Sequence, residues 1–221
     1  MIEANEIFLE EDTRLALWAE MAQDTNEIAL LADKIAQSKM SVISVPPEMV
    51  ANMWTYLEKT PVEILTRFSF APLKKDFDVD MDVLIKNISK ICKSGARGVQ
   101  IFIKMQDFYK FIDVLAIVRN DLFFNHKLSI CMDIEDIDIN DLSNIFQKLK
   151  DIKADSFGLT LNEDMGTRSD FIGRVYALLE QWDFDGQLHF ILLNNLDRAD
   201  QVIRLTEILQ PDLTNRTKFF F

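Results

Sequence analysis

Glycine is scarce in this chain, with six in 221 residues, and there are only five prolines, two cysteines and two histidines. Each shortage excludes something. Loops that cradle phosphates with backbone N–H groups need glycine for close approach, so a glycine-rich nucleotide loop is not expected. Cys92 and Cys131 cannot build a disulfide framework, and their wide spacing fits no zinc motif. No apolar run approaches the roughly 18 residues that a bilayer span requires. The acidic opening MIEANEIFLEEDTR is not a secretion signal, so the cytoplasm is the expected compartment. Basic charge is short as well: 24 Lys and Arg against 36 Asp and Glu leave a net charge of −12. Such a chain repels phosphate backbones. Its nearest approach to a basic cluster, Lys148, Lys150 and Lys153, is scattered through a helix end. Nucleic acid and membrane are therefore not expected partners, and no metal or cofactor is expected.

What the chain has is hydrophobic residues, 48% of the total, arranged in two alternating periods. Short apolar, β-branched runs recur at Arg14–Ala19, Ser41–Val45, Glu63–Phe70, Gly98–Ile103, Leu128–Met132, Ser156–Leu161, Gln187–Leu193 and Thr217–Phe221. Most are apolar on both faces, as strands of a parallel sheet must be. Between them lie amphipathic stretches with a period near 3.6. Asp24-Thr25-Asn26-Glu27 reads as a capping box opening a helix with Ile28, Leu31, Ala32 and Ile35 inward. Pro47 stands where a first-turn proline would open a helix burying Val50, Met53, Trp54 and Leu57. Val83, Leu84, Ile88 and Ile91 form the next inward stripe, ending near Gly95 as C-cap. The pattern continues through Phe108–Val118, Leu142–Leu149, Phe171–Leu179 and Ala199–Leu209, where Pro211 stops the last helix.

Eight strands in strict alternation with seven helices imply right-handed βαβ units, and eight strands favour a closed barrel over an open sheet. The expected architecture is α/β, a single (β/α)8 TIM-type barrel over 13–221 lacking its last helix, behind an N-terminal extension, 1–12. The missing helix would leave the outer face of the last strand bare. Either a second protomer, making a homodimer, or the segment Ile2–Leu9 would then cover it.

Several phrases, in order, resemble the deoxyribose-phosphate aldolase family. Ser41-Val42-Ile43-Ser44-Val45-Pro46-Pro47 resembles that family's second strand, and Val62-Glu63-Ile64-Leu65-Thr66-Arg67-Phe68-Ser69-Phe70 its third. Cys92-Lys93-Ser94-Gly95-Ala96-Arg97-Gly98-Val99-Gln100 resembles the approach to its fourth strand, and Lys153-Ala154-Asp155-Ser156-Phe157-Gly158 the approach to its sixth. The family's chemistry uses a Schiff-base lysine on strand six, a second lysine on strand seven and an aspartate on strand four. The matching positions here hold Gly158, Ile191 and Gln100. A Schiff base needs a neutral amine as nucleophile, and none of these supplies one. The glycine pair that helps hold substrate phosphate is matched by Asn194 and Asn195, and the family's serine-rich phosphate loop would fall beyond Phe221. The resemblance thus implies the fold without the ordinary aldolase reaction.

In a barrel, function sits at the C-terminal ends of the strands. Alternation from the matched positions puts Arg67, Ser69, Gln100, Lys104, Asp133, Thr160, Asn162 and Asn195 at the mouth, with Glu20 ending the first strand. This mixture of charges and amides is expected to bind a small polar metabolite, or else to form self-paired charges of a remnant mouth. Lys104 is the candidate for a relocated Schiff-base lysine, since the related transaldolases carry theirs on strand four; an ordinary solvated lysine is the alternative. The acidic run Asp133, Glu135, Asp136, Asp138 and Asp141 lacks the glycine and spacing of a calcium loop, and reads as solvated carboxylates with Asp138 or Asn140 capping a helix. His126 and His189 are assigned to surface and packing. Three readings stay open: a non-catalytic binder of a small molecule, a divergent lyase using Lys104 or Asp133, and a structural subunit acting through oligomerisation.

Overall fold

Eight parallel strands close into a barrel in the order β1 to β8, with β8 pairing back to β1 through Leu15↔Phe219 and Ala16↔Phe220. The computed structural model describes residues 13–22, 24–70, 77–123, 125–161, 168–192 and 196–221. The expected extension 1–12, and with it the covering segment Ile2–Leu9, lies outside the described residues. The strands are β1 (Leu15–Trp18), β2 (Val42–Val45), β3 (Glu63–Phe70), β4 (Gly98–Ile103), β5 (Lys127–Asp133), β6 (Ser156–Thr160), β7 (Gln187–Ile191) and β8 (Thr217–Phe220). The helices are α1 (Thr25–Gln37), α2 (Val50–Leu57), α3 (Phe77–Lys93), α4 (Met105–Phe123), α5 (Leu142–Asp151), α6 (Arg168–Glu180), α7 (Leu196–Leu209) and α8 (Pro211–Thr214).

Local chemistry sets these boundaries. Asp24 Oδ1 accepts from the backbone N–H groups of Asn26 (2.8 Å) and Glu27 (2.9 Å), satisfying donors that open α1. Asp138 Oδ1 accepts from the Asn140 N–H (2.9 Å) and so caps the 3-10 turn leading into α5. Pro47 opens a 3-10 turn, and α2 follows it with Val50, Met53 and Leu57 buried. Pro211 both ends α7 and opens α8, a short helix that precedes β8. The α3 stripe differs from expectation at one position: Met81, Leu84, Ile88 and Cys92 are buried, whereas Val83 is 52% exposed. Residue 83 lies about 100° of helical rotation from residue 84, so both cannot share the centre of one apolar face.

Gly95 closes α3 with φ +116, and a Cβ built there would overlap the Trp54 ring. Gly95→Ala combines an unfavourable backbone region with a steric overlap, and is expected to destabilise the protein by about 1–3 kcal/mol. A urea denaturation midpoint unchanged from wild type would contradict this.

Two apolar layers result from strand alternation. Outward residues such as Leu15, Ile43, Ile64, Ile101, Phe157 and Phe219 join the helices in the main core. Inward residues Ala16, Val42, Leu65, Cys131, Ile191 and Phe220 fill the barrel, with Trp18 and Phe102 packed against them. The outer face of β8 is not bare: Thr217 and Phe219 are each 1% exposed within the single chain. Thr217 Oγ1 donates to Leu213 O of α8 (2.9 Å), and Phe219 stacks on Phe190 at 5.6 Å. The expected reason for association through β8 therefore falls, because the chain covers that strand itself.

Candidate functional site at the barrel mouth

The strand ends bring Trp18, Arg67, Phe102, Asp133, Thr160, Ile191 and Phe220 to the C-terminal side of the barrel. Trp18 meets Phe102 edge to face, with ring centroids 5.8 Å apart, and Phe220 in the same manner at 6.5 Å. These rings pack with Ile191 and Cys131 in the barrel interior. Gly158 illustrates the closure: a Cβ built on it would overlap Cys131 Sγ. The thiol of β5 thus occupies the place of a side chain on β6. Burial pushes the Cys131 thiol up to about 12 and the Cys92 thiol up to about 11, so neither is a thiolate nucleophile at neutral pH. Ile191 is fully buried beside it.

Arg67 lies across this aromatic layer, its guanidinium carbon 4.1 Å from the Trp18 ring centroid. Nη1 donates to Ser44 O at 3.0 Å and Nη2 donates to Ala19 O at 2.5 Å. Burial lowers its pKa to about 10, against the opposing pull of the Glu20 and Glu48 charges, so it stays cationic at neutral pH. Two strand-end carbonyls and an aromatic face thus hold the guanidinium in one orientation. A guanidinium has more N–H donors than these two contacts use. No described carboxylate forms an ion pair with it.

The remaining expected residues divide by depth. Gln100 is fully buried inside the barrel, not displayed at the mouth. Its Oε1 accepts from Ser44 Oγ at 2.6 Å, while Nε2 has no partner among the described residues. Register places its Cα beside that of Arg67, but the side chain sits beneath the aromatic layer. Ser69 and Glu20 are exposed. Asp133 and Thr160 are half-buried register partners on β5 and β6. Asp133 Oδ1 accepts from the Glu135 N–H at 2.9 Å, which binds it to its own turn. Lys104 is exposed just after β4, where its carbonyl accepts from the Asp107 N–H (3.0 Å) to start α4. The desolvated setting that a Schiff-base lysine requires is not provided there. Asn162 and Asn195 lie outside the described residues. Among the described residues no group of three or more His, Cys, Asp or Glu is placed to hold a metal ion.

Trp18 and Cys131 were not among the residues expected at the site, whereas the packing role expected for His189 agrees with its burial. The signal for Trp18 was its parity with Ala16 on β1, but no matched position anchored the alternation of that strand. His189 faces the barrel interior and is 3% exposed.

No protein-family model and no curated protein matches the sequence. Solved structures do match in shape. A protein of Coccidioides immitis assigned as a deoxyribose-phosphate aldolase superposes with a TM-score of 0.71 at 9% identity, over 98% of this chain and 82% of that one. The deoxyribose phosphate aldolase of Aeropyrum pernix gives 0.66 at 11% identity, over 100% and 92%. CutC of Streptococcus agalactiae, assigned to copper homeostasis, gives 0.70 at 10% identity, over 95% and 98%. Neighbours of such different roles at such low identity speak for architecture, since one barrel hosts many chemistries. The chain has the aldolase-like TIM-barrel fold.

Proposed function

We propose that this barrel is a binding protein for a small polar metabolite carrying a carboxylate or phosphate, without the aldolases' Schiff-base chemistry, and that Arg67 is its anchor. The observation that carries this reading is the state of Arg67: half-buried, fixed by Ala19 O, Ser44 O and Trp18, yet without an ion-pair partner among the described residues. An arginine held in a fork geometry at a barrel mouth suits bidentate recognition of an oxyanion. Ser69, Asp133 and Thr160, from neighbouring strand ends, are the polar groups that would discriminate among ligands. The absence of Schiff-base chemistry rests on Gly158, Ile191 and Gln100, and on the Cys131 thiol that takes up the space beside Gly158.

The purified chain is expected to leave deoxyribose 5-phosphate uncleaved and to give no borohydride-stable adduct at Lys104 with simple aldehydes and ketones. Calorimetric titration with a panel of small carboxylates and phosphates is expected to find saturable binding. Arg67→Gln should weaken it roughly ten- to a hundredfold, the range for a lost charge-assisted hydrogen bond. Arg67→Lys should also weaken it, because an ammonium cannot reproduce the fork. Turnover of the sugar phosphate, or oxyanion binding that is indifferent to Arg67→Gln, would overturn the reading.

A further inference from the structure

The opposite end of the barrel contains a second polar region that the mouth does not use. Val42, Glu63, Lys127, Ser156 and Gln187 are the first residues of β2, β3, β5, β6 and β7. Leu65, Ser129 and His189 stand two residues further along their strands and face the same way. All of these residues line one cavity of about 120 Å3. At roughly 30 Å3 for each water in the liquid, that volume holds about four waters, or a molecule of similar bulk.

The charges around this cavity are already spent on one another. Lys127 Nζ and Glu63 Oε2 pair at 2.5 Å, with side chains 45% and 35% exposed, and so form the rim that faces solvent. Asp155, also on the lining, accepts from the Leu128 N–H at 2.8 Å and pairs with Arg119 at 3.3 Å. Lys218 Nζ donates to Thr13 O at 2.7 Å and Ser41 Oγ at 3.1 Å. His189 has Nε2 3.3 Å from Gln187 Oε1 and Nδ1 3.5 Å from Ser129 Oγ. It is neutral, since burial and the nearby Lys218 and Lys127 charges push its pKa down to about 3.

The uncommitted groups are neutral ones. Ser156 is 4% exposed and lines the cavity, and among the described residues no group bonds its hydroxyl. The Gln187 amide accepts through Oε1 and keeps its N–H donors. Beside the cavity, Gln100, register partner of Ser129, has an unpaired Nε2. The site thus presents hydroxyl and amide groups without net charge, and the lack of a partner is costly for the buried Gln100 Nε2 beside it.

We infer that this lower cavity is a binding site for a compact uncharged hydroxylated molecule, a diol or triol of two or three carbons, held by Ser156, Gln187 and the His189–Ser129 pair. An anion entering it would meet Glu63 and Asp155, and a cation would meet Lys127 and Lys218. A neutral polyol meets neither penalty, and its methylene groups fit against Val42 and Leu65.

The test follows the His189 ring resonances by NMR while ethylene glycol, glycerol, acetate and methylammonium are titrated into separate samples of the full chain. The expected result is a saturable shift with a polyol and none with the two ions, with cross-peaks from polyol methylenes to the Val42 and Leu65 methyls. Ser156→Ala, which removes the hydroxyl and adds no bulk to the cavity wall, should weaken binding roughly tenfold, the worth of one hydrogen bond. Arg67→Gln should leave it unchanged, which separates this site from the mouth. If Ser156→Ala does not fold, the methyl cross-peaks in the wild type decide the matter. A linear, non-saturating shift without those cross-peaks means that the cavity holds only water and overturns the proposal. A saturable response to acetate or methylammonium overturns it as well.

Discussion

Acidification is expected to destabilise this protein through His189 more than its surface carboxylates alone would. The ring is 3% exposed, and its pKa falls from 6.5 to about 3, first through burial and then through Lys218 and Lys127. The sign follows from which state takes up the proton. Below pH 6.5 the unfolded chain protonates its histidine while the folded chain does not, so protons favour unfolding. The stability conferred by neutral burial is complete above pH 6.5 and is lost progressively as the pH falls towards 3. At about 1.4 kcal/mol per unit, the full window is worth roughly 3–5 kcal/mol. Urea melts at pH 7 and pH 5 on the wild type and on His189→Gln isolate the effect, because the other titrating groups are common to both. The wild type should lose about 2 kcal/mol more than the variant over that interval. Equal losses would show that His189 is not buried as a neutral ring.

Phe220→Ala is expected to cost about 3–5 kcal/mol, the range for removing a fully buried phenylalanine. The ring is 0% exposed and links the two halves of the barrel interior. It meets Trp18 edge to face at 6.5 Å on the mouth side and His189 at 5.1 Å on the other. Its loss opens a cavity that neighbouring strands cannot close, since their Cα positions are held by the β7 and β1 ladders. For a domain of this size the melting temperature should fall by about 6–20 °C. The same variant removes support from beneath Trp18, so anion binding at Arg67 should weaken with it. A loss below about 1 kcal/mol in urea melts would mean that the interior repacks freely, contrary to the close packing of protein cores.

The order of elements was legible because each depends on a period within one short segment. Glu63–Phe70 and Gly98–Ile103 were readable to the residue, since β-branched and aromatic runs with clear ends leave few alternatives. The error at Val83 arose because five of the nine residues Val83–Ile91 are apolar, which allows more than one helical face. The candidate site was legible in direction but not in depth. Alternation states which residues of a strand face inward. It does not state how far along the barrel axis each one lies, since that depends on the stagger between strands. Gln100 was expected at the mouth for this reason and lies beneath it, while Lys104, of the same parity, lies beyond the strand in solvent.

By itself, then, the sequence determined an alternating α/β chain whose eight strands are apolar enough to be buried on both faces, and the absence of a lysine at Gly158 and Ile191. Those are properties of residue identity and local period. Barrel closure decided the rest. It set Leu15 beside Phe219, packed Trp18 against Phe102 and Phe220, and laid Arg67 over that layer. It also put Cys131 into the space beside Gly158, and gathered His189, Ser129, Ser156 and Gln187 around one cavity. These residues come from strands separated by tens to hundreds of positions. No pattern within a segment encodes their meeting, because it depends on shear and closure of the whole sheet.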